Sequence, residues 1–400
     1  MRLLSLRDAA SIGDLAAIAR RRMPGFAFDY LDGAAGDDRG MRRNEEALAA
    51  ILFRTRHLVG GPARTAVEFL GRSYNLSTGV APMGMANMLW PGMDLVLARL
   101  AQEVGIPYVL STAATTSIER IAEAAPDMAW FQLYVSRDPT INEGLLKRAW
   151  AAGIRVLAVT VDVPVPQKRN RNHRHRFDLP FRPHPRFLLD LLAHPRWAVE
   201  TLRAGMPNFE NFVPYAGLAR GGSIAEVGRF LQAQGKRDLL WEDVERIRGL
   251  WPGHLLIKGV MDAEDTSRFL RIGADGLWVS NHGGRQLESA PASIDVLRQV
   301  RAAVGPHVPI VFDSGVRTGE SIVKARVLGA DLAMSGRAFA YGAAAGGAAG
   351  ARKAYDLLEL ETRYTLLQIG CPDINDVSAH ILRDGTDKTR PLHLGSVAGH

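Results

Sequence analysis

The segment SNHGGRQ, residues 280–286, places His282 and Arg285 three positions apart among glycines. An imidazole titrates near neutral pH and can take a proton, and a guanidinium beside it can grip a carboxylate through two parallel hydrogen bonds. Two shorter loops, DSGVR (313–317) and SGR (335–337), each contain glycine and end in arginine. Glycine lets backbone N–H groups turn inward around an anion, and Arg317 or Arg337 adds charge, so both loops suit a phosphate. Lys258 closes the apolar run LLIKG, where a buried ammonium needs a partner.

Such residues need a frame to hold them, and an alternation beginning near residue 77 supplies one. Short apolar or β-branched runs at 77–81, 107–111, 129–134, 156–161, 255–259, 276–280, 308–312 and 331–335 read as strands. Amphipathic stretches at 93–104, 139–152, 241–249, 263–272, 293–303 and 319–328 read as helices between them. The eight repeats close as a (β/α)8 TIM barrel, an α/β fold, rather than as an open sheet. An N-terminal helical lead-in covers 11–22, where Ser11 can cap, Asp14 follows three positions on, and Leu15, Ile18 and Ala19 share a face. The chain is then one domain, 1–400, with an excursion at 163–240 after the fourth strand that is too long for one βα loop.

Barrels of this kind place their chemistry at the C-terminal ends of the strands. The polar residues there are Ser111 and Thr112, Gln132 and Tyr134, Thr160 and Asp162, Lys258, then Ser280, Asn281, His282 and Arg285, then Asp313, and finally Gly336 with Arg337. Phosphate sites commonly follow the seventh and eighth strands, where DSGVR and SGR fall.

The composition is that of a folded protein rather than a disordered one, with 47% hydrophobic and 23% charged residues. The single cysteine, Cys371, allows no internal disulfide and no zinc cluster, which points to a reducing compartment, and no metal site is expected. The first residues lack the continuous apolar core of a signal peptide, and no uncharged run approaches a membrane span, so a cytoplasmic location is expected. Most of the net charge of +7 is local: residues 163–206 hold nine Lys or Arg against three acidic residues. That stretch lacks the interleaved aromatics of a nucleic-acid groove, and no nucleic-acid partner is expected. Its part at 181–205 instead mixes Phe187, Leu188, Leu189, Leu191, Leu192 and Trp197 with arginines and histidines, which suits peripheral contact with the inner face of a membrane.

With FQLY, TVD and IKG in order beside SNHGGRQ, DSGVR and SGR, the chain resembles the FMN-dependent L-2-hydroxy acid oxidase and dehydrogenase family. The resemblance runs from YLDGAAGDD near Tyr30 to QIGCPDI at 368–374. It implies FMN as cofactor and oxidation of a small L-2-hydroxy acid to the 2-keto acid. It makes His282 the base and Asp162 the carboxylate that pairs with the imidazolium. Arg285 and Arg169 would hold the substrate carboxylate with the Tyr30 hydroxyl, and Tyr134 would bond the substrate's 2-hydroxyl oxygen. Lys258 would face the N1–C2 edge of the flavin. Ala81, Pro82, Met83, Ser111, Gln132, Thr160 and Ser280 are further flavin contacts, while Asp313, Gly315, Arg317, Gly336 and Arg337 would hold the ribityl and phosphate groups. A homotetramer is usual for the family.

Within that family, STAATTSIE (111–119), HPRWAVETLRAGMPNFENFV (194–213) and QIGCPDI resemble the mandelate dehydrogenase branch. Ala113 stands where glycolate oxidases carry a bulky tryptophan, leaving room for a phenyl ring. Gly84 stands where oxidases tend to carry alanine, as in dehydrogenases that pass electrons to a quinone. The expected reaction is therefore oxidation of an (S)-mandelate-like acid with a quinone acceptor. The competing expectation is an oxidase that makes hydrogen peroxide from lactate or another aliphatic acid.

Overall fold

A computed structural model describes residues 4–175, 185–217 and 223–383, apart from the side chains of residues 185 and 186. Eight strands form a closed barrel: β1 (Thr78–Val80), β2 (Tyr108–Ser111), β3 (Ala129–Leu133), β4 (Val156–Thr160), β5 (His254–Val260), β6 (Gly276–Val279), β7 (Ile310–Phe312) and β8 (Leu332–Ser335). All neighbours pair in parallel and β8 closes on β1. The strands are apolar on both faces because one face fills the barrel and the other meets the surrounding helices. The expected barrel is thus present, with strand ends within two residues of the expected runs. Ile310 rather than residue 308 opens β7, since Pro309 has no N–H to give to the ladder and serves only as acceptor for Leu277.

Register carries the chemistry to one height. Ser111 lies opposite Gln132, and Thr160 opposite Lys258, so the polar residues that end neighbouring strands share one rim. A register shift between Lys258 and Val260 sits at Gly259, whose φ is +104°. A Cβ there would stand 2.6 Å from the Asp162 side chain, so only glycine lets β5 pass this close to Asp162.

The lead-in helix is Ile12–Arg22, capped by the Ser11 hydroxyl on the Asp14 N–H. Asp14 returns its carboxylate to the N–H of Ala10, not of Ser11, so the reciprocal half of a capping box is displaced by one residue. Helices Gly25–Asp32 and Arg39–Ala50 follow and bring Tyr30 and Leu31 to the C-terminal mouth. Arg171, in the short helix Asn170–Arg174, ties the root of the excursion to this lead-in through Asp38 at 2.7 Å, Asp29 at 3.5 Å and Asp32.

Between β4 and β5 the chain forms helices Pro185–Ala193, Pro195–Ala204, Ile224–Gln234 and Trp241–Leu250. Residues 181–184 of the expected membrane segment lie outside the described residues. In the rest, Phe187 and Trp197 do not face outward as interfacial side chains would. Phe187 packs on Phe26 at 5.1 Å, and Trp197 meets Phe26 edge-on at 5.7 Å and donates to the Leu89 carbonyl at 2.9 Å. The opposite surface is apolar and open, with Leu188, Leu189, Leu192, Val199, Leu202 and Met206 exposed.

Candidate active site

The mouth of the barrel holds a cavity that opens to solvent. His282 lines it with a φ of +59°, a left-handed conformation that a non-glycine residue holds only under constraint. Asn281 supplies the constraint. Its amide accepts from Gly284 N–H at 3.0 Å, exchanges hydrogen bonds with Asn44, and donates to the Pro291 carbonyl. The His282 N–H donates to the Ser280 hydroxyl at 3.0 Å.

The imidazole Nδ1 faces both oxygens of Asp162, at 3.1 and 3.2 Å, while Nε2 lies 3.3 Å from the Tyr134 hydroxyl. With Asp162 accepting the Nδ1 hydrogen, a neutral ring leaves Nε2 as its basic atom on the cavity side. Burial, reinforced by Lys258 and Arg169, lowers the His282 pKa below the ordinary 6.5 even though Asp162 pulls it upward. Burial would raise Asp162, but the charge and hydrogen bond of His282 outweigh it and hold the carboxyl below its usual range. The pair can therefore rest as neutral imidazole beside carboxylate and accept a proton on Nε2.

A few ångströms along the wall, two guanidiniums share one aromatic ring. Arg169 lies 5.7 Å and Arg285 5.0 Å from the centre of Tyr30. Arg285 donates to the carbonyls of Leu31 and Gly33, yet burial and the charges of Arg169 and Arg337 hold it well below its ordinary pKa. The buried Arg169 Nε has no hydrogen-bond partner. Like charges collected beside a cavity with a donor still unused can receive an anion, and a carboxylate fits the bidentate fork.

The residues opposite fit FMN. Gly336 opens the helix Arg337–Gln368 without a side-chain cap, so the first N–H groups of that helix start at the cavity. A Cβ at Gly336 would stand 3.6 Å from Met83 and 3.8 Å from Ala81, in space a ligand can use. Arg317 and Arg337 also line this end, and burial together with Arg317 pushes Arg337 down to about 10. The Arg337 guanidinium spans the carbonyls of Leu31, Gly33 and Gly283, so it offers an anion charge more than free donors. Lys258 is buried at the cavity floor, held by Ser280 at 2.8 Å and Asp313 at 3.2 Å.

Most residues named from the sequence meet at this cavity: Tyr30, Ala81, Pro82, Met83, Gln132, Tyr134, Thr160, Arg169, Lys258, His282, Arg285, Asp313, Gly315, Arg317, Gly336 and Arg337. Asp162 stands behind His282. Ser111 and Ser280, expected as flavin contacts, do not line the cavity. Ser111 donates to Gln132, which donates to Thr160. Ser280 bonds Lys258, His282 and Asp313. Thr112 likewise serves Tyr134 from behind, accepting its N–H at 2.9 Å. Leu31, Leu89, Ser314 and Met334 also line the cavity and Asn44 lies beneath it, none of them singled out from the sequence. Ser314 carried a signal, as the second residue of DSGVR.

Gly84 and Ala113 face one another across the cavity wall, where a Cβ on Gly84 would lie 3.3 Å from that of Ala113. Among the described residues no group of His, Cys, Asp or Glu is placed to hold a metal, and no helix is long and apolar enough to cross a membrane.

A base and an anion clamp facing a phosphate cradle across a barrel mouth make the arrangement of an oxidoreductase with a phosphate-bearing cofactor. The chain belongs to the FMN-dependent dehydrogenase family, whose model matches residues 19–384, and FMN is its cofactor. It is 38% identical to the (S)-mandelate dehydrogenase of Pseudomonas putida over 387 residues, 96% of this chain and 97% of that one. It is 37% identical to the L-lactate dehydrogenase of Pseudomonas aeruginosa (strain UCBPP-PA14) over 371 residues, 92% of this chain and 97% of that one. A crystal structure of (S)-mandelate dehydrogenase, described as a monotopic membrane protein, matches with a TM-score of 0.89 and 38% identity, covering 94% of this chain and 99% of that one.

Proposed function

We propose that this enzyme oxidises an L-2-hydroxy acid with an aromatic side chain, of the (S)-mandelate type, and passes the electrons to a quinone. The observation that carries the reading is the His282–Asp162 hydrogen-bonded pair beside the Arg169–Arg285 clamp, with the small Gly84–Ala113 wall at the same cavity. Arg285 and Arg169 bind the substrate carboxylate, with the Tyr30 hydroxyl as a further donor. Tyr134 bonds the 2-hydroxyl oxygen and polarises it as the carbonyl develops. His282 Nε2 takes a proton from the substrate, and Asp162 stabilises the imidazolium. Bound FMN would supply the acceptor for the two electrons and the second proton that leave the substrate. Lys258 places a buried positive charge at that end of the cavity, while Gly336, Arg317 and Gly315 hold the phosphate-bearing tail.

The apolar surface of helices Pro185–Ala193 and Pro195–Ala204, with Arg196 and Arg203 beside it, supports peripheral contact with an anionic membrane. A lipid-soluble quinone acceptor gives that contact a purpose. Steady-state turnover separates this reading from a peroxide-forming oxidase. With (S)-mandelate as donor, a soluble quinone is expected to support rapid turnover and oxygen alone slow turnover. Rapid peroxide formation in air, or a strong preference for glycolate, would reverse the acceptor or the side-chain assignment.

A further inference from the structure

Behind the wall that carries Gly84 and Ala113 lies a buried carboxylate that neither the base nor the anion clamps use. Asp94 is in the first turn of helix Met93–Val104 and is 1% exposed. Its Oδ1 accepts from the Tyr108 hydroxyl at 3.0 Å and its Oδ2 from the Thr115 hydroxyl at 3.4 Å. The Thr115 N–H and the Thr116 hydroxyl also donate to it. Burial pushes this carboxyl up to about 6, against the pull of those donors.

Asn87 closes the ring. Its side-chain oxygen accepts from the Asp94 N–H at 3.1 Å, and its side-chain nitrogen donates to the Thr115 carbonyl at 3.1 Å and the Thr116 hydroxyl at 2.9 Å. Its backbone N–H donates to the Thr115 hydroxyl at 3.1 Å. The network thereby joins the loop after β1, which carries Gly84, to the loop after β2, which carries Ala113. A direct bond from Met85 N–H to the Ala113 carbonyl, at 2.9 Å, bridges the same two loops. Met85 has a φ of +57°, a conformation that surrounding contacts must maintain in a non-glycine residue.

We propose that Asp94 is a positioning residue for substrate selection: through Thr115 and Asn87 it fixes the spacing between Gly84 and Ala113, and so the room left for the substrate's side chain. The proposal rests on the reading that places that side chain beside Ala113. A mismatch the size of one methylene changes specificity by roughly 10- to 200-fold in an apolar pocket. The wall is tight enough for such sensitivity, since even one added methyl at Gly84 would press on Ala113 at 3.3 Å.

Three variants test it: Asp94→Asn, which keeps the shape but loses acceptor capacity, Thr115→Val, which removes one hydroxyl link, and Thr115→Ser, which retains it. In FMN-loaded protein, Asp94→Asn and Thr115→Val are expected to lose on the order of tenfold in kcat/KM for (S)-mandelate, mainly through KM. The same variants should stay within about twofold for glycolate, and Thr115→Ser should stay near the parent on both. Equal losses on the two acids, or an unchanged (S)-mandelate KM, would overturn the proposal. If Asp94→Asn does not fold, the Thr115 pair decides alone. Ala113→Leu, run in parallel, must impair (S)-mandelate more than glycolate; if it does not, the side-chain placement and this proposal fall together. If it does while Thr115→Val changes nothing, only the positioning role fails.

Discussion

At the scale of single residues, the account turns on His282 and the carboxylate behind it. His282→Ala is expected to retain FMN, because the groups around the phosphate cradle are untouched. Its rate of flavin bleaching by substrate should fall by roughly 10²- to 10⁴-fold or more, the usual weight of a general base. Near-normal bleaching would remove His282 from the chemistry. The pH dependence follows from the same pair. Burial lowers the His282 pKa below 6.5, so kcat/KM should be level through neutral pH and fall only as the ring protonates at lower pH. Asp162 raises that pKa, so Asp162→Asn should move the acid limb to still lower pH while slowing the reaction. A limb that stays in place, or moves up, would contradict the pairing. The reactive side chains were legible because a barrel sets whatever ends its strands on one rim. Depth was not legible. Ser111 and Ser280 end their strands as Gln132 and Lys258 do, yet they bond those neighbours from behind and do not reach the cavity. Chain order gives no sign of which polar residue stands in front.

At the scale of elements, the barrel strands and the lead-in helix follow from their periodicity, and the excursion does not. A run such as FLLDLLAHPRW shows an apolar, basic mixture but not which side each residue faces. Tertiary packing decides that, drawing Phe187 and Trp197 onto Phe26 and Leu89 and leaving Leu188, Leu189 and Leu192 outside. Leu89 entered the cavity lining for the same reason, since its neighbour in space comes from more than a hundred positions away. Replacing 181–205 with a short soluble linker should release the protein from anionic vesicles. Flavin bleaching should persist, because the base and both anion clamps lie on other elements. Each basic residue near an anionic surface contributes about 1 kcal/mol, so binding should also weaken as salt rises. An intact protein that ignores vesicles, or a replacement that still binds them, would defeat the membrane assignment without touching catalysis.

At the scale of the whole molecule, the barrel brings residues from its lead-in, from all eight of its strand ends and from the root of its excursion to one cavity. Tyr30 and Arg169 meet over one ring from opposite sides of a long stretch of chain, and Arg171 with its three aspartates makes that meeting rigid. Leu360, Tyr364 and Leu367 stand exposed on one face of the last long helix. The central claim is that this cavity oxidises an L-2-hydroxy acid on FMN, with the acid's side chain against Ala113. Anaerobic flavin bleaching across a panel of 2-hydroxy acids, each in both enantiomers where it has them, tests it most directly. The account predicts bleaching by (S)-mandelate that is faster than by glycolate, none by (R)-mandelate, and FMN as the flavin released on denaturation. An unbleached flavin with every L-2-hydroxy acid, or equal bleaching by both mandelate enantiomers, would contradict it.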